Sequence, residues 1–448
     1  MTIAVRPRER DALIQALRAG VVPRVGQHLI QVGRFKEIEG LLKDIERIAD
    51  GGTAFRLILG PYGAGKTFFL NLIRSMALEK KLVTASADLN PDRRLHGSGG
   101  QARSLYSELA KNISTRTKPD GGALTGIVEK FIFTAEGEAK GRSVGTAIVI
   151  HEKLEKLAEM VGGYDFAHVI SEYWRAHSEG NQDLKAHAIR WLRGEYTTKT
   201  EARLALGVRT IVDDASMYDQ LKLLSLFVRL AGFSGLLVCL DELVNLYKLN
   251  NSQARNANYE QILRILNDTL QSNNEGLGFL LGGTPEFLFD TRRGLYSYSA
   301  LQSRLTENTF AKAANVVDYN HPVLQLPSLT PEDFLVLLGK ILNVFAYGDE
   351  SKHLVPDEAI VAFMQHCQQR IGEAYFRTPR TTITSWVNFL SVLEESPCLD
   401  WRALLGQIEV KPDAGDLNDL VVPEDLNPGM LDATGTNNGN DEFTTFKL

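Results

Sequence analysis

Gly60-Pro61-Tyr62-Gly63-Ala64-Gly65-Lys66-Thr67 sets glycine, four residues, glycine, lysine and a hydroxyl at the spacing of a phosphate cradle, the Walker A pattern. The glycines let the backbone turn its N–H groups onto a phosphate, and a helix starting there adds a favourable dipole. Lys66 would reach the outer phosphates and Thr67 would set its hydroxyl on Mg²⁺. With Phe68 the stretch forms a candidate nucleotide-binding segment.

Such a loop needs an acid at the end of a neighbouring strand to organise the metal. Leu236-Leu237-Val238-Cys239-Leu240-Asp241-Glu242 supplies one, a Walker B pattern. Asp241 would hold Mg²⁺ through water, and Glu242 could polarise the attacking water. The glutamate is the informative residue, because simple nucleotide binders and many kinases do without it. The pair points to ATP hydrolysis.

The elements around these residues fit that chemistry. Phe55–Leu59 reads as a buried strand before the loop and Thr67–Glu79 as an amphipathic helix after it. Leu82–Asp88, Gly235–Leu240 and Leu277–Leu281 are further strands, while Met217–Ala231 and Asn258–Gln271 are helical. Short apolar strands alternating with helices predict an α/β fold with a parallel sheet covered on both faces. Between the second strand and the acidic pair, about 100–216, apolar residues recur at helical spacing in a long insertion, and the chain after Pro331 is helical again. The boundaries expected are an N-terminal segment over 1–30, an ATPase core over 31–329, a helical domain over 330–410 and an acidic tail over 411–448.

The 448 residues, 44% hydrophobic and 23% charged, have ordinary globular composition. No apolar run reaches the ~18 residues of a membrane span, and charges interrupt the N-terminal MTIAVRPRERDALIQALRAG. A soluble, cytoplasmic protein is expected, with no membrane partner. Cys239, Cys367 and Cys398 are too scattered for a zinc site or a disulfide framework, and the histidines show no metal-ligand spacing. Of the net charge of −6, the tail from Lys411 holds eight acids against two bases, also −6, which leaves a neutral body. That body has no global signature of a nucleic-acid binder. The tail is poor in large apolar side chains, and we read it as disordered.

The order of parts resembles the AAA+ ATPases of the initiator-like, origin-recognition branch. Val32-Gly33-Arg34 before KEIEGLLKDI is similar to the segment that packs near the adenine in that family. The resemblance implies a polar first sensor at Thr284, an arginine finger at Arg304 in LQSRL, and a second-sensor arginine at Arg380 in RTPRTTITSWVNFL. Arg292 and Arg293 are the substitutes for the finger. An arginine finger stabilises the γ-phosphate of a neighbour, so an oligomer of the chain is implied. The helices after Pro331 are similar to the AAA+ lid. ALRAGVVPRVG, the P-loop and GSGGQARSLYSELAKNIS further resemble the ATP-binding, BrxD-like proteins of BREX-type phage-defence clusters. That resemblance implies a defence role and partners encoded in the same cluster. Two departures stand out: the long insertion, and the absence of a winged-helix module after the lid.

Within the insertion Lys185, Arg190, Arg193, Lys199, Arg203 and Arg209 lie near Trp174 and Trp191, a pattern that can track a phosphate backbone and stack bases or simply solvate helix faces. Two function classes therefore stand: a nucleotide-driven motor or loader acting on duplex DNA or partner enzymes, and a signalling or scaffold ATPase whose assembly recruits proteins without touching nucleic acid.

Overall fold

The computed structural model describes residues 5–407 apart from 272–274, 315 and 378; the expected acidic tail lies outside the described residues. Five strands, β1 (Ala54–Leu59), β2 (Val83–Asp88), β3 (Leu236–Asp241), β4 (Leu277–Gly283) and β5 (Val323–Gln325), form one sheet in the order β2-β3-β4-β1-β5. Every pairing is parallel. The central strands β1, β3 and β4 are near-continuous apolar runs because both faces are covered. Leu57, Val238 and Phe279 point to one face, where they share a core with Leu105, Phe131, Phe166 and Trp191 of the insertion. Their neighbours Ile58, Leu237 and Leu280 point to the other, against Ile45 of helix Phe35–Ala49 and Phe69 and Ile73 of helix Lys66–Glu79.

The four expected strands and the helix after the loop form at or within two residues of the expected ends. β5 has no counterpart in the sequence reading: three residues are too few to show a period, and its position is fixed by pairing Val323–Gln325 with Leu57–Leu59. The insertion contains the helix Leu124–Arg142 and the other helices up to Lys199–Leu206, and it covers one face of the sheet.

A separate core joins the two ends of the described chain. Helices Pro331–Phe345, Asp357–Ile371 and Pro379–Glu395 bury Phe334, Leu338, Phe363, Trp386 and Leu390 together with Leu13 and Leu17 of helix Pro7–Arg18. Arg10 fastens that N-terminal helix. Its guanidinium donates to the Phe345 carbonyl at 3.2 Å, pairs with Glu394, and lies over the rings of Phe345 and Tyr347. Among the described residues no helix is long and apolar enough to cross a membrane.

Candidate functional site

The loop between β1 and helix Lys66–Glu79 turns sharply through Gly63 and Gly65, whose φ values of 75° and 78° lie in the left-handed region that glycine occupies at no steric cost. Lys66 folds back over the loop and donates from Nζ to the carbonyls of Gly60 and Pro61, both at 2.9 Å. Burial holds its ammonium below the usual lysine value, while Asp241, Glu242 and Glu286 oppose that shift. Pro61 and Tyr62 are exposed on the outer side of the turn. Phe68, half-buried one residue beyond Thr67, packs against both the sheet core and the core of the C-terminal helices.

Thr67 reaches across to β3, where its Oγ1 donates to Asp241 Oδ2 at 2.7 Å. The other carboxylate oxygen, Oδ1, accepts the Glu242 N–H at 2.8 Å, and Asp241 is only 7% exposed. Room for this buried carboxylate comes from β4: a Cβ at Gly282 would lie 2.3 Å from Asp241 Oδ1 and 2.9 Å from Leu70 Cδ1. A hydroxyl beside a carboxylate, with space for water and phosphate oxygens, fits Mg²⁺, a hard cation that takes one or two protein oxygens and keeps several waters.

Glu242 follows the strand in a left-handed conformation, φ 60°, which costs a non-glycine residue about 1–2 kcal/mol. That turn directs the next residues back to the sheet, where the Leu243 N–H bonds the Gly282 carbonyl at 3.0 Å. The Glu242 side chain stays open to solvent on one side. Loss of hydration on its enclosed side and the neighbouring Asp241 raise its carboxyl above the usual glutamate range, with Lys66 acting against them.

Asp88 joins this group through the sheet rather than the sequence. It ends β2 directly opposite Asp241 in the parallel register. Partial enclosure, followed by the Asp241 charge, raises its carboxyl as well. It lines a cleft of about 340 Å³ with Thr67, Asp241, Arg24, Arg74 and Arg93. Sequence reasoning ended a strand at Asp88 without giving it a role, and only the strand order reveals its neighbour.

Because β4 lies between β1 and β3, Thr284 at its end is carried to the gap between the loop and the acidic pair. Its hydroxyl caps the short helix Pro285–Phe289, accepting the Phe287 N–H at 3.5 Å. Gly33 and Arg34 are both left-handed, at φ 57° and 58°, and Arg34 directs its guanidinium to the loop itself: Nη2 donates to the Ala64 carbonyl at 2.6 Å and to the Pro327 carbonyl at 3.2 Å.

Among the described residues, the other arginines of the sequence reading make no hydrogen bond to residues 60–67. Arg304 is exposed on helix Ser299–Leu305, bonded to Asn267 Oδ1 and to the Ala300 carbonyl, both at 2.8 Å. Arg293 is turned inward over the Tyr247 ring and bonds the carbonyls of Tyr247 and Leu249, whereas Arg292 is exposed. Arg380 is exposed at the start of helix Pro379–Glu395, with its aliphatic stem beside the Gly20 turn. In the basic stretch of the insertion, Trp191 is buried and donates to the Thr210 carbonyl at 2.8 Å, so it offers no face for a base. Arg190 there pairs with Glu201.

Residues 5–409 match the family described as BREX system ATP-binding protein BrxC/D. No curated protein matches the chain significantly.

Proposed function

The chain belongs to the BrxC/D family of BREX-system ATP-binding proteins, and from that premise we propose that it hydrolyses ATP and uses the cycle as a motor or loader acting on DNA or on partner proteins of a phage-defence system. The observation that carries the reading is the 2.7 Å bond from Thr67 to Asp241. It joins two residues 174 positions apart into one oxygen pair at the mouth of the glycine-rich loop.

Bound Mg²⁺ would neutralise charge on the phosphate oxygens and be held by Thr67 and, through water, by Asp241. Lys66 would exchange the carbonyls of Gly60 and Pro61 for phosphate oxygens, while the loop N–H groups cradle the chain of phosphates. Glu242 would take the proton of the attacking water, and Thr284 would orient that water. Arg380 would report the γ-phosphate to the helices over 330–410, acting as a lid on the core over 31–329. Arg304, exposed and free of bonds to residues 60–67, suits a finger that completes the site of a neighbouring subunit. The placement of β4 between β1 and β3 supports the AAA+ reading, since it brings Thr284 between the loop and the acids.

ATP turnover with and without duplex DNA, over a range of salt, tests the proposal. Stimulation that fades as salt rises supports action on DNA, because phosphate contacts weaken steeply with ionic strength. Turnover indifferent to DNA removes DNA from the reading and leaves protein partners; absence of turnover refutes it.

A further inference from the structure

We infer that Arg34 is a positioning residue of the phosphate cradle, holding the Ala64–Gly65 peptide in the orientation that aims the Gly65 N–H into the loop. The inference rests on the proposed phosphate site and assigns Arg34 to the phosphates rather than to the adenine.

A trans peptide is planar, so its C=O and N–H point in opposite directions. Arg34 Nη2 takes the Ala64 carbonyl at 2.6 Å. The Gly65 N–H must then point away from the guanidinium, and among the described residues no hydrogen bond takes it up. Gly65 is itself left-handed, with φ 78°, and a Cβ there would lie 3.7 Å from Arg34 Nη1. The guanidinium therefore backs the turn at the residue whose N–H an outer phosphate would meet.

Two further contacts and a nearby carboxylate support the turn. The same Nη2 bonds the Pro327 carbonyl at 3.2 Å, in the segment between β5 and helix Pro331–Phe345. The guanidinium carbon lies 5.9 Å from the centre of the Phe69 ring, a fully buried side chain on the helix that follows the loop. Asp333, in the first turn of helix Pro331–Phe345, acts electrostatically on Arg34, and a Cβ at Gly33 would lie 3.1 Å from its Oδ1. Arg34 thus ties the cradle to the chain leading into the C-terminal helices. A lysine could supply the charge and a donor, but not the planar guanidinium that lies beside the Phe69 ring while its Nη2 meets both carbonyls.

The test compares Mg²⁺-ATP with inorganic tripolyphosphate, which has the phosphates but no base. Each is titrated against the wild-type full chain, Arg34→Ala and Arg34→Lys, with the ligand-free melting temperature of each variant as the control for folding. The expected result is that Arg34→Ala weakens both ligands by the same factor, roughly ten- to a hundred-fold for loss of a charged hydrogen bond. Arg34→Lys should recover part of the loss for both. Unchanged tripolyphosphate binding by a folded Arg34→Ala protein overturns the inference, as does a loss confined to ATP, which would place Arg34 at the adenine. A wild-type chain that takes ATP but not tripolyphosphate also overturns it, since the cradle is then not pre-formed. A wild-type chain that binds neither ligand refutes the proposed site itself.

Discussion

Gly282→Ala tests whether the buried Asp241 carboxylate is the centre of the site. The new methyl carbon would lie 2.3 Å from Asp241 Oδ1, against an ordinary C···O contact of about 3.3 Å or more, so one of them must move by about 1 Å. Leu70 Cδ1, 2.9 Å away, is the end of a flexible side chain and can turn aside. Asp241 has no such freedom, because Oδ1 is held by the Glu242 N–H and Oδ2 by Thr67. Overpacking should destabilise the fold by about 1–3 kcal/mol, and a shift of about 1 Å in a catalytic group costs on the order of 100-fold in rate. ATP binding without Mg²⁺ should survive, since the atoms nearest the methyl belong to Asp241 and Leu70 rather than to the loop or Lys66. The assay is Mg²⁺-dependent phosphate release beside magnesium-free ATP binding and thermal melting. A Gly282→Ala protein that turns ATP over at the wild-type rate would refute the argument.

Other substitutions separate the roles. Lys66→Ala should abolish detectable ATP binding in a direct titration while leaving the fold intact, since among the described residues Lys66 bonds only loop carbonyls from its half-buried position. Glu242→Gly should melt above Glu242→Ala by about 0.5–1 kcal/mol equivalent, because glycine relieves the left-handed strain at φ 60° more than it adds unfolded-state entropy; equal melting would show that the strain is not there. Arg304→Ala should leave melting and ATP affinity unchanged, because the side chain is exposed, yet slow turnover by roughly 1,000-fold or more if it completes a neighbour's site. Mixing Arg304→Ala with Glu242→Gln should then restore part of the activity, and unaffected turnover by Arg304→Ala alone would remove the finger from the account.

What could be read from the sequence was the chemistry that is local in the chain. The loop over Gly60–Thr67 is eight contiguous residues, and Asp241 and Glu242 follow a strand that announces itself by its apolar run. The hydrogen bond between Thr67 and Asp241 follows from those two readings once the sheet order sets their strands on either side of β4. Asp88 was not legible as part of the group, because its neighbour Asp241 is set by strand order and register, which no local pattern encodes. Arg34 was read as adenine-side by resemblance; its contact with Ala64, 30 residues on, depends on how helix Phe35–Ala49 packs. Nothing local marks Gly282, because the carboxylate that occupies the place of its side chain comes from β3. The insertion teaches the same lesson. Helical spacing says that a face is buried without saying against what, so the basic stretch around Trp191 stays open between a stacking surface and ordinary helix faces, whereas Trp191 itself belongs to the core over the sheet. Helix Pro7–Arg18 likewise carried no sign that it would pack with helices more than 300 residues later.

In the proposed mechanism Glu242 activates water for hydrolysis at a site built from Lys66, Thr67 and Asp241. A single-turnover experiment with radiolabelled Mg²⁺-ATP, wild type beside Glu242→Gln, tests it most directly. The predicted result is equal ATP binding by both proteins, with hydrolysis in the variant slower by roughly 100- to 10,000-fold. Equal hydrolysis by the two proteins would contradict the claim.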